Sequence, residues 1–428
     1  MSDQRHMRIN LNLRGVGFHT AAWRHPDSAP HRVHDLDYYV ELVRAAERGL
    51  FDSVFLADMM TFPQSGSGQN ELAWPLDPFT MLAGVAPHTE HIGLIGTLST
   101  TYNDPYAVAR KVAALDQLSG GRAGVNLVTS TGDEVARQFG WDRHTEHELR
   151  YERAGEFITV LNALWDAAGE PVEHHGNHFD VSGALDIAGS PQGRPVIVQA
   201  GASESGRALA GRFAEAVFAG SSDIPAGALL YDDLKARVVA GGRPSTDLAV
   251  LPGVVPYVGS TEAEARRVYG ELEELILDDG GNIARLGQEL GLDLGAADPD
   301  GPVPVDDFPA VEGYQGGVTR LVRLRAWALE EGVSLRRFAN TVYRSLGVIH
   351  WTPVGTPEQI ADELESWFRG GAADGFNVLV PQHTRQLDAF VDQVVPVLQR
   401  RGLFRTEYAT TTLRDHLGIT RPNLARAA

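Results

Sequence analysis

The sequence predicts a closed (β/α)8 barrel, and three observations point there. Short apolar runs alternate with stretches of helical period along most of the 428 residues. The runs are apolar on both faces, as strands covered on both sides must be. Eight such units can be counted, seven before Glu262 and one near Phe376–Val380. Strands that alternate with helices of ten or more residues run parallel and are joined by crossovers. A doubly wound open sheet has the same periodicity and stays as the alternative.

Met7–Leu13 alternates like a strand. Leu36–Arg48 then puts Leu36, Tyr39, Val40, Val43 and Ala46 on one helical face. Ser53–Ala57 reads as a short buried strand, Asp77–Ala86 as a helix, Ile92–Leu98 as a strand and Tyr106–Leu118 as a helix. Ala123–Val128 is the next strand, and Arg150–Trp165 the next helix, with Phe157, Val160, Leu161 and Leu164 along its face. Pro195–Gln199 and Ala216–Ala219 are strand-like, with a helix at Ser205–Phe213 between them. After an apolar stretch at Leu248–Val258, a capped helix opens at Ser260–Thr261, with Glu262 and Glu264 in its first turn. Two segments break the rhythm. Glu173–Val181 reads as a small hairpin, and residues 279–315 are rich in Gly, Asp and Pro. The expected organisation is one barrel domain over residues 1–428, with an insertion around 279–345 and a C-terminal helical extension.

Composition narrows the function classes. A barrel needs about 250 residues, so the surplus belongs to insertions and extensions. Charged residues are 22% of the chain and the net charge is −19, which argues against a nucleic-acid partner or an anionic membrane surface. There are no cysteines, so thiol nucleophiles, disulfides, iron–sulfur clusters and Cys-type zinc sites are excluded. No apolar run reaches the ~20 residues that span a bilayer. The N-terminal MSDQRHMRINLNLRG has no signal-like apolar core, so a cytoplasmic protein is expected.

In a parallel barrel the chemistry sits where strands end, at the C-terminal face. His19 follows the first strand and Asp58 the second. Thr97 and Ser99 end the third, Asn126 and Thr129–Thr131 the fourth, Gln199–Gly201 the fifth and Ser221–Ser222 the sixth. Strand ends are polar wherever they meet water, but six in succession with compact hydrogen-bonding groups suggest a polar cup. His174, His175 and His178 fall in the hairpin and read as a solvated loop before a metal site. There is no HExxH, no G-x-S-x-G elbow and no P-loop. Gly201–Gly206, GASESG, joins a strand to a helix whose first N–H groups suit a phosphate, but it is not the nicotinamide fingerprint.

Six stretches resemble one family in order: AAERGLFDSVFLADMM (45–60), IGLIGTLSTTYNDPYAVARKVAALDQLSGGRAGVNLVTS (92–130), HELRYERAGEFITVLNALWD (147–166), PVIVQAGASESGR (195–207), AEAVFAGSS (214–222), and VGTPEQIADEL with GAADGFNVLVP (354–364 and 371–381). The chain resembles the bacterial-luciferase-like flavin monooxygenases, in the branch of the nitrilotriacetate, dibenzothiophene-sulfone and long-chain alkane monooxygenases. The resemblance implies FMN at the C-terminal mouth of the barrel, supplied as FMNH2 by a separate NAD(P)H:flavin reductase. Reduced flavin and O2 would give a C4a-(hydro)peroxyflavin that oxygenates a small organic substrate. It also implies a homodimer or homotetramer. The cofactor then carries the chemistry and the protein positions it and excludes water.

Carried over by position, the flavin contacts fall on Asp58, Thr97, Asn126, His147, Tyr151 and Ser221. His147 and Tyr151 are four apart and share a helix face. His19, in GFHTAAWR, is the candidate catalytic or substrate-orienting residue, and a loop-ordering role is its alternative. Trp23, Phe62 and Trp74 suggest an apolar surface near the mouth. Two features depart from the branch: Val125 stands where many members carry Trp, and the loop between Met60 and Trp74 is short and Gly/Ser-rich. A deazaflavin-dependent oxidoreductase of the same fold and a non-catalytic flavin-binding barrel are the rival readings.

Overall fold

Each barrel strand is hydrogen-bonded to the next in the chain, and the last to the first. This computed structural model describes residues 5–58, 60, 76–201, 203–276, 281–312, 314, 318–329, 332–344 and 350–422. The strands are Arg8–Leu13, Ser53–Leu56, Gly93–Ser99, Ala123–Val128, Val196–Gln199, Ala216–Ala219, Ala249–Val254 and Gly375–Leu379. Closure comes from the first and last, paired in parallel with Asn10 opposite Asn377. The open-sheet alternative is therefore ruled out. The strand boundaries lie within two residues of those expected from periodicity, except that only Ala249–Val254 of the apolar stretch Leu248–Val258 enters the barrel.

Local sequence sets the helix starts. Asp77, Asp104, Ser203 and Asp223 each cap a helix by accepting a backbone N–H three residues on. Asp77 and Asp104 are followed directly by Pro, which suits the first helical position. Thr356 and Gln359 form a reciprocal capping box at Pro357–Arg369. In Leu36–Arg48 the expected face is buried except at Leu36, which is 40% exposed because it sits in the first turn over Gly84. No described helix is long and apolar enough to cross a membrane.

Strand alternation makes two cores. Ile9, Leu11, Val54, Leu94, Val125 and Ile197 face the helices. Phe55, Ile95, Val196, Val198, Ala216 and Leu251 fill the barrel itself. The bottom is stoppered by the C-terminal segment: Leu413, Leu417 and Ile419 join the inner core. Glycine at 93 and 124 makes room for this stopper, since a Cβ at those positions would lie 2.4 and 3.0 Å from Leu413. Arg414 locks it there, its fully buried guanidinium 2.6 Å from Glu215.

Two excursions leave the barrel. Val172–His175 and Asp180–Gly183 form the expected hairpin, and His174 and His178 turn back to Glu156 and Glu152. The larger excursion departs after Tyr257–Val258 and returns at Val354–Gly355, and these two segments pair in parallel at its neck. Its helices Gly281–Leu290, Val318–Ala328 and Leu335–Arg344 have a core of their own around Leu286, Leu324 and Phe338.

Candidate active site

The inner faces of the strands turn polar toward the mouth. On the first strand, alternation in RINLNL sends Ile9 and Leu11 outward and leaves Asn10 and Asn12 inside, both buried. Asn377 joins them from the eighth strand. Thr97 and Asn126 sit opposite each other on the third and fourth strands. Asn126 Nδ2 donates to Thr97 Oγ1 at 3.0 Å, and Thr97 Oγ1 donates onward to Leu56 O at 2.8 Å. This leaves Asn126 Oδ1 buried without a hydrogen bond, together with Asn12 Oδ1 and Ser221 Oγ. Buried polar atoms without partners cost about 1–3 kcal/mol each, so a cluster of them marks the place of a polar ligand. Neutral groups of this kind suit an uncharged heteroaromatic ring with both donors and acceptors.

Asp58 lies two residues beyond the end of the second strand, Ser53–Leu56. Burial, reinforced by Asp77, pushes its carboxyl up to about 6. Such a carboxyl is a stability liability. The folded state holds a proton that the unfolded chain releases near pH 4, so stability falls as pH rises from about 4 to 6 and is flat above. Asp58→Asn should therefore stabilise the protein by about 1–2 kcal/mol near pH 8, less than the full shift implies because the group is partly exposed. Near pH 4 the gain should vanish, and urea unfolding at the two pH values measures it. A costly carboxylate retained at a mouth is what functional sites carry.

His147 and Tyr151 occupy the start of the helix His147–Asp166, with ring centroids 4.8 Å apart. Tyr151 Oη accepts from Ser203 Oγ at 3.4 Å, and a Cβ on Gly201 would lie 3.6 Å from it. The tyrosine hydroxyl thus faces the turn where Gly201–Gly206 enters the helix capped by Ser203, a place of free N–H groups. Between the two residues, Arg150 is 1% exposed. Its Nη1 donates to Ser130 O, whereas Nε and Nη2 are buried without partners. His144 Nε2 also donates to Ser130 O, at 3.1 Å, and its Nδ1 accepts from Tyr102 Oη at 2.5 Å.

His19 lies on the other side of the mouth, 2% exposed. Its Nδ1 accepts from Ala21 N at 3.1 Å, so the proton sits on Nε2, which donates to Glu273 at 3.2 Å. The loop carrying it passes the eighth strand closely. Gly17 has φ +140°, and a Cβ there would meet Pro381 O at 2.4 Å. His19 N in turn donates to Pro381 O.

The seven candidates therefore form two joined groups and three separate walls. Thr97 is hydrogen-bonded to Asn126, and His147 contacts Tyr151. Asp58, Ser221 and His19 each hold their own strand end. Asn12, Asn377 and Arg150 were not singled out as contacts by sequence reasoning. The alternating asparagines in RINLNL were the available signal, because Asn is a poor strand residue unless its side chain has work inside. Trp23 is half-buried beneath Arg24, while Phe62 and Trp74 lie outside the described residues.

Known proteins carry the same architecture. The luciferase-like monooxygenase family model matches residues 16–374. Component A of nitrilotriacetate monooxygenase from Aminobacter aminovorans is 42% identical, over 99% of this chain and 98% of its own length. The dibenzothiophene-sulfone monooxygenase of Rhodococcus erythropolis (strain XP) is 39% identical over 99% of both. The solved EDTA monooxygenase from Chelativorans sp. BNC1 is 36% identical with TM-score 0.78, covering 98% of this chain and 100% of that one. With a family match across most of its length and full-length relatives at this identity, the chain belongs to the luciferase-like monooxygenases.

Proposed function

We propose that the chain is the oxygenating component of a two-component flavin monooxygenase, acting on a small organic substrate with FMNH2 and O2. The observation that carries this reading is the set of buried, unpartnered neutral groups at the mouth, Asn12, Asn126 and Ser221, beside a costly carboxyl at Asp58. A relative named as component A supports a separate reductase that makes FMNH2 from NAD(P)H and passes it over. That division of labour favours the cytoplasm, where the nicotinamide is reduced.

Bound FMNH2 supplies the electrons that activate O2. The protein's part is placement. Thr97 fixes the Asn126 amide, leaving its oxygen free for a ring N–H. Tyr151, Ser221 and the first N–H groups of the helix capped by Ser203 are donors for the phosphate, with Arg150 the buried cation that offsets its charge. His147 packs at a tilt against the tyrosine ring and holds it in place. His19 orients the Glu273 carboxylate through Nε2–H, which makes it a positioning residue for the substrate side.

Anaerobic titration with FMNH2, followed by an oxygen pulse in the presence of candidate organic acids and sulfur compounds, tests the reading. One FMNH2 per chain should bind, and O2 uptake should match formation of an oxygenated product. Preference for a reduced deazaflavin, or O2 uptake that never yields product, would overturn it.

A further inference from the structure

A row of buried polar groups crosses the inside of the barrel. Gly253 on the seventh strand stands opposite Asn377 on the eighth, Asn377 opposite Asn10 on the first, and Asn10 opposite Ser53 on the second. Their strand neighbours Ile9, Leu11, Val54, Val254, Phe376 and Val378 pack in the core that faces the helices, so alternation turns these positions inward. Gly253 has no side chain to offer, and His350, just before the insertion's returning limb, takes its place: a Cβ on Gly253 would run into His350 Nδ1. Ser53, Asn10, Asn377 and His350 are all at most 7% exposed. Ser53 Oγ, Asn10 Oδ1, Asn377 Oδ1 and His350 Nδ1 are buried with no hydrogen-bond partner among the described residues.

The row descends from the mouth to the floor. Gly253 is the last residue but one of its strand, whereas Ser53 is the first of its own. Ser53 lies opposite Gly93, the glycine that makes room for Leu413 of the C-terminal stopper. The next inward position above Ser53 is Phe55, whose ring meets Phe218 edge-on at 5.7 Å, and Phe218 in turn stacks on His350 at 5.3 Å. A flavin ring would have to displace these aromatics to reach the lower row, so a small ligand is needed there. It must also be neutral. Asp52, the acid next to Ser53, is committed to Ile9 N at 2.6 Å and to Arg405, and no carboxylate stands in the row. A cation there would be buried without a counter-charge. Carboxamide oxygens only accept, so whatever lies between Asn10 and Asn377 must donate to both, while the Ser53 hydroxyl donates or accepts. Burial, with Arg323 and Arg320, holds the His350 imidazole down to about 3, so it is neutral and also does either. Water meets every one of these demands, and buried water characteristically joins otherwise unpaired polar groups.

We propose that His350, Asn377, Asn10 and Ser53 bind a file of water molecules inside the barrel, running from the mouth down to the stopper. Ordered solvent, and not cofactor or substrate, is then the ligand of the lower barrel. In the closed ring of eight the seventh strand stands opposite the third. The upper end of the file, at His350, therefore lies across the mouth from Thr97, and the neutral imidazole continues its hydrogen bonds to the mouth without placing a charge there. The inference goes beyond the monooxygenase reading and does not depend on it.

A high-resolution crystal structure of the full-length protein, grown with rubidium chloride, tests the file. Water oxygens should lie within about 2.7–3.2 Å of Asn10 Oδ1, Asn377 Oδ1 and Ser53 Oγ, with no anomalous signal from rubidium among them. In solution, oxygen-17 relaxation dispersion of the solvent counts long-lived internal waters. Asn377→Leu, close to asparagine in size, and Ser53→Ala should each hold fewer of them than the parent. Side chains bonded directly to one another, a rubidium ion in the row, or a flavin or other organic molecule in the lower barrel overturns the proposal. So does an equal number of long-lived waters in the parent and both variants. If N377L does not fold, S53A, which loses a single hydroxyl, and the crystal of the parent decide.

Discussion

Arg414→Met should lower the unfolding free energy by about 3–5 kcal/mol, the cost of leaving one member of a buried ion pair without the other. Both side chains are almost fully shielded, and the pair is 2.6 Å apart. Arg414 Nη1 also donates to Thr420 O at 3.1 Å, and Nη2 to Arg194 O at 3.2 Å. The other oxygen of Glu215 accepts from Ile197 N at 2.9 Å. One guanidinium therefore joins the C-terminal stopper to the bottoms of the fifth and sixth strands. With Met in its place, the Glu215 carboxylate would be left buried against apolar neighbours. Urea unfolding measures the loss. Adding Glu215→Gln to R414M should recover part of it by removing the stranded charge, whereas a loss under 1 kcal/mol in R414M, against the expected ~3–5, would show the stopper is not held this way.

The second large effect concerns the ligand. The double variant Tyr151→Phe, Ser221→Ala should bind FMNH2 weaker by about 2–4 kcal/mol, roughly 30- to 700-fold, as two lost hydrogen bonds to a charged group imply. Reduced riboflavin lacks the phosphate, so its affinity should change less than about threefold. Tryptophan fluorescence under anaerobic conditions reads both ligands on one sample. Equal losses for the two ligands would place Tyr151 and Ser221 against the ring instead of the phosphate.

The fold was legible because its signals are local and repeated. Leu36–Arg48, Ala123–Val128 and Ala216–Ala219 have the boundaries that periodicity assigns them. Caps such as Asp77-Pro78 and Asp104-Pro105 announce their helices in two letters. Closure was not local: it depends on Asn10 meeting Asn377, which are 367 positions apart, and no pattern within either strand encodes that partner. The same reason hid the stopper. Leu413 and Leu417 fall in what was expected only as a C-terminal helical extension, and only the space at Gly93 and Gly124 shows where they go.

At the site, strand-end position and family resemblance pointed to Thr97, Asn126 and Tyr151, of which the structure joins Thr97 and Asn126 by a hydrogen bond. They gave no sign that the Arg150 side chain would be buried. Its Nη1 donates to the carbonyl of Ser130, which sits in the left-handed region at φ 55°, a conformation sequence does not announce for a serine.

A crystal structure of the protein with FMN tests the central claim most directly. The account predicts the isoalloxazine between Asp58 and the Thr97–Asn126 pair, with the phosphate at Tyr151, Ser203 and Ser221. Flavin bound at the stoppered end or on the insertion would contradict it.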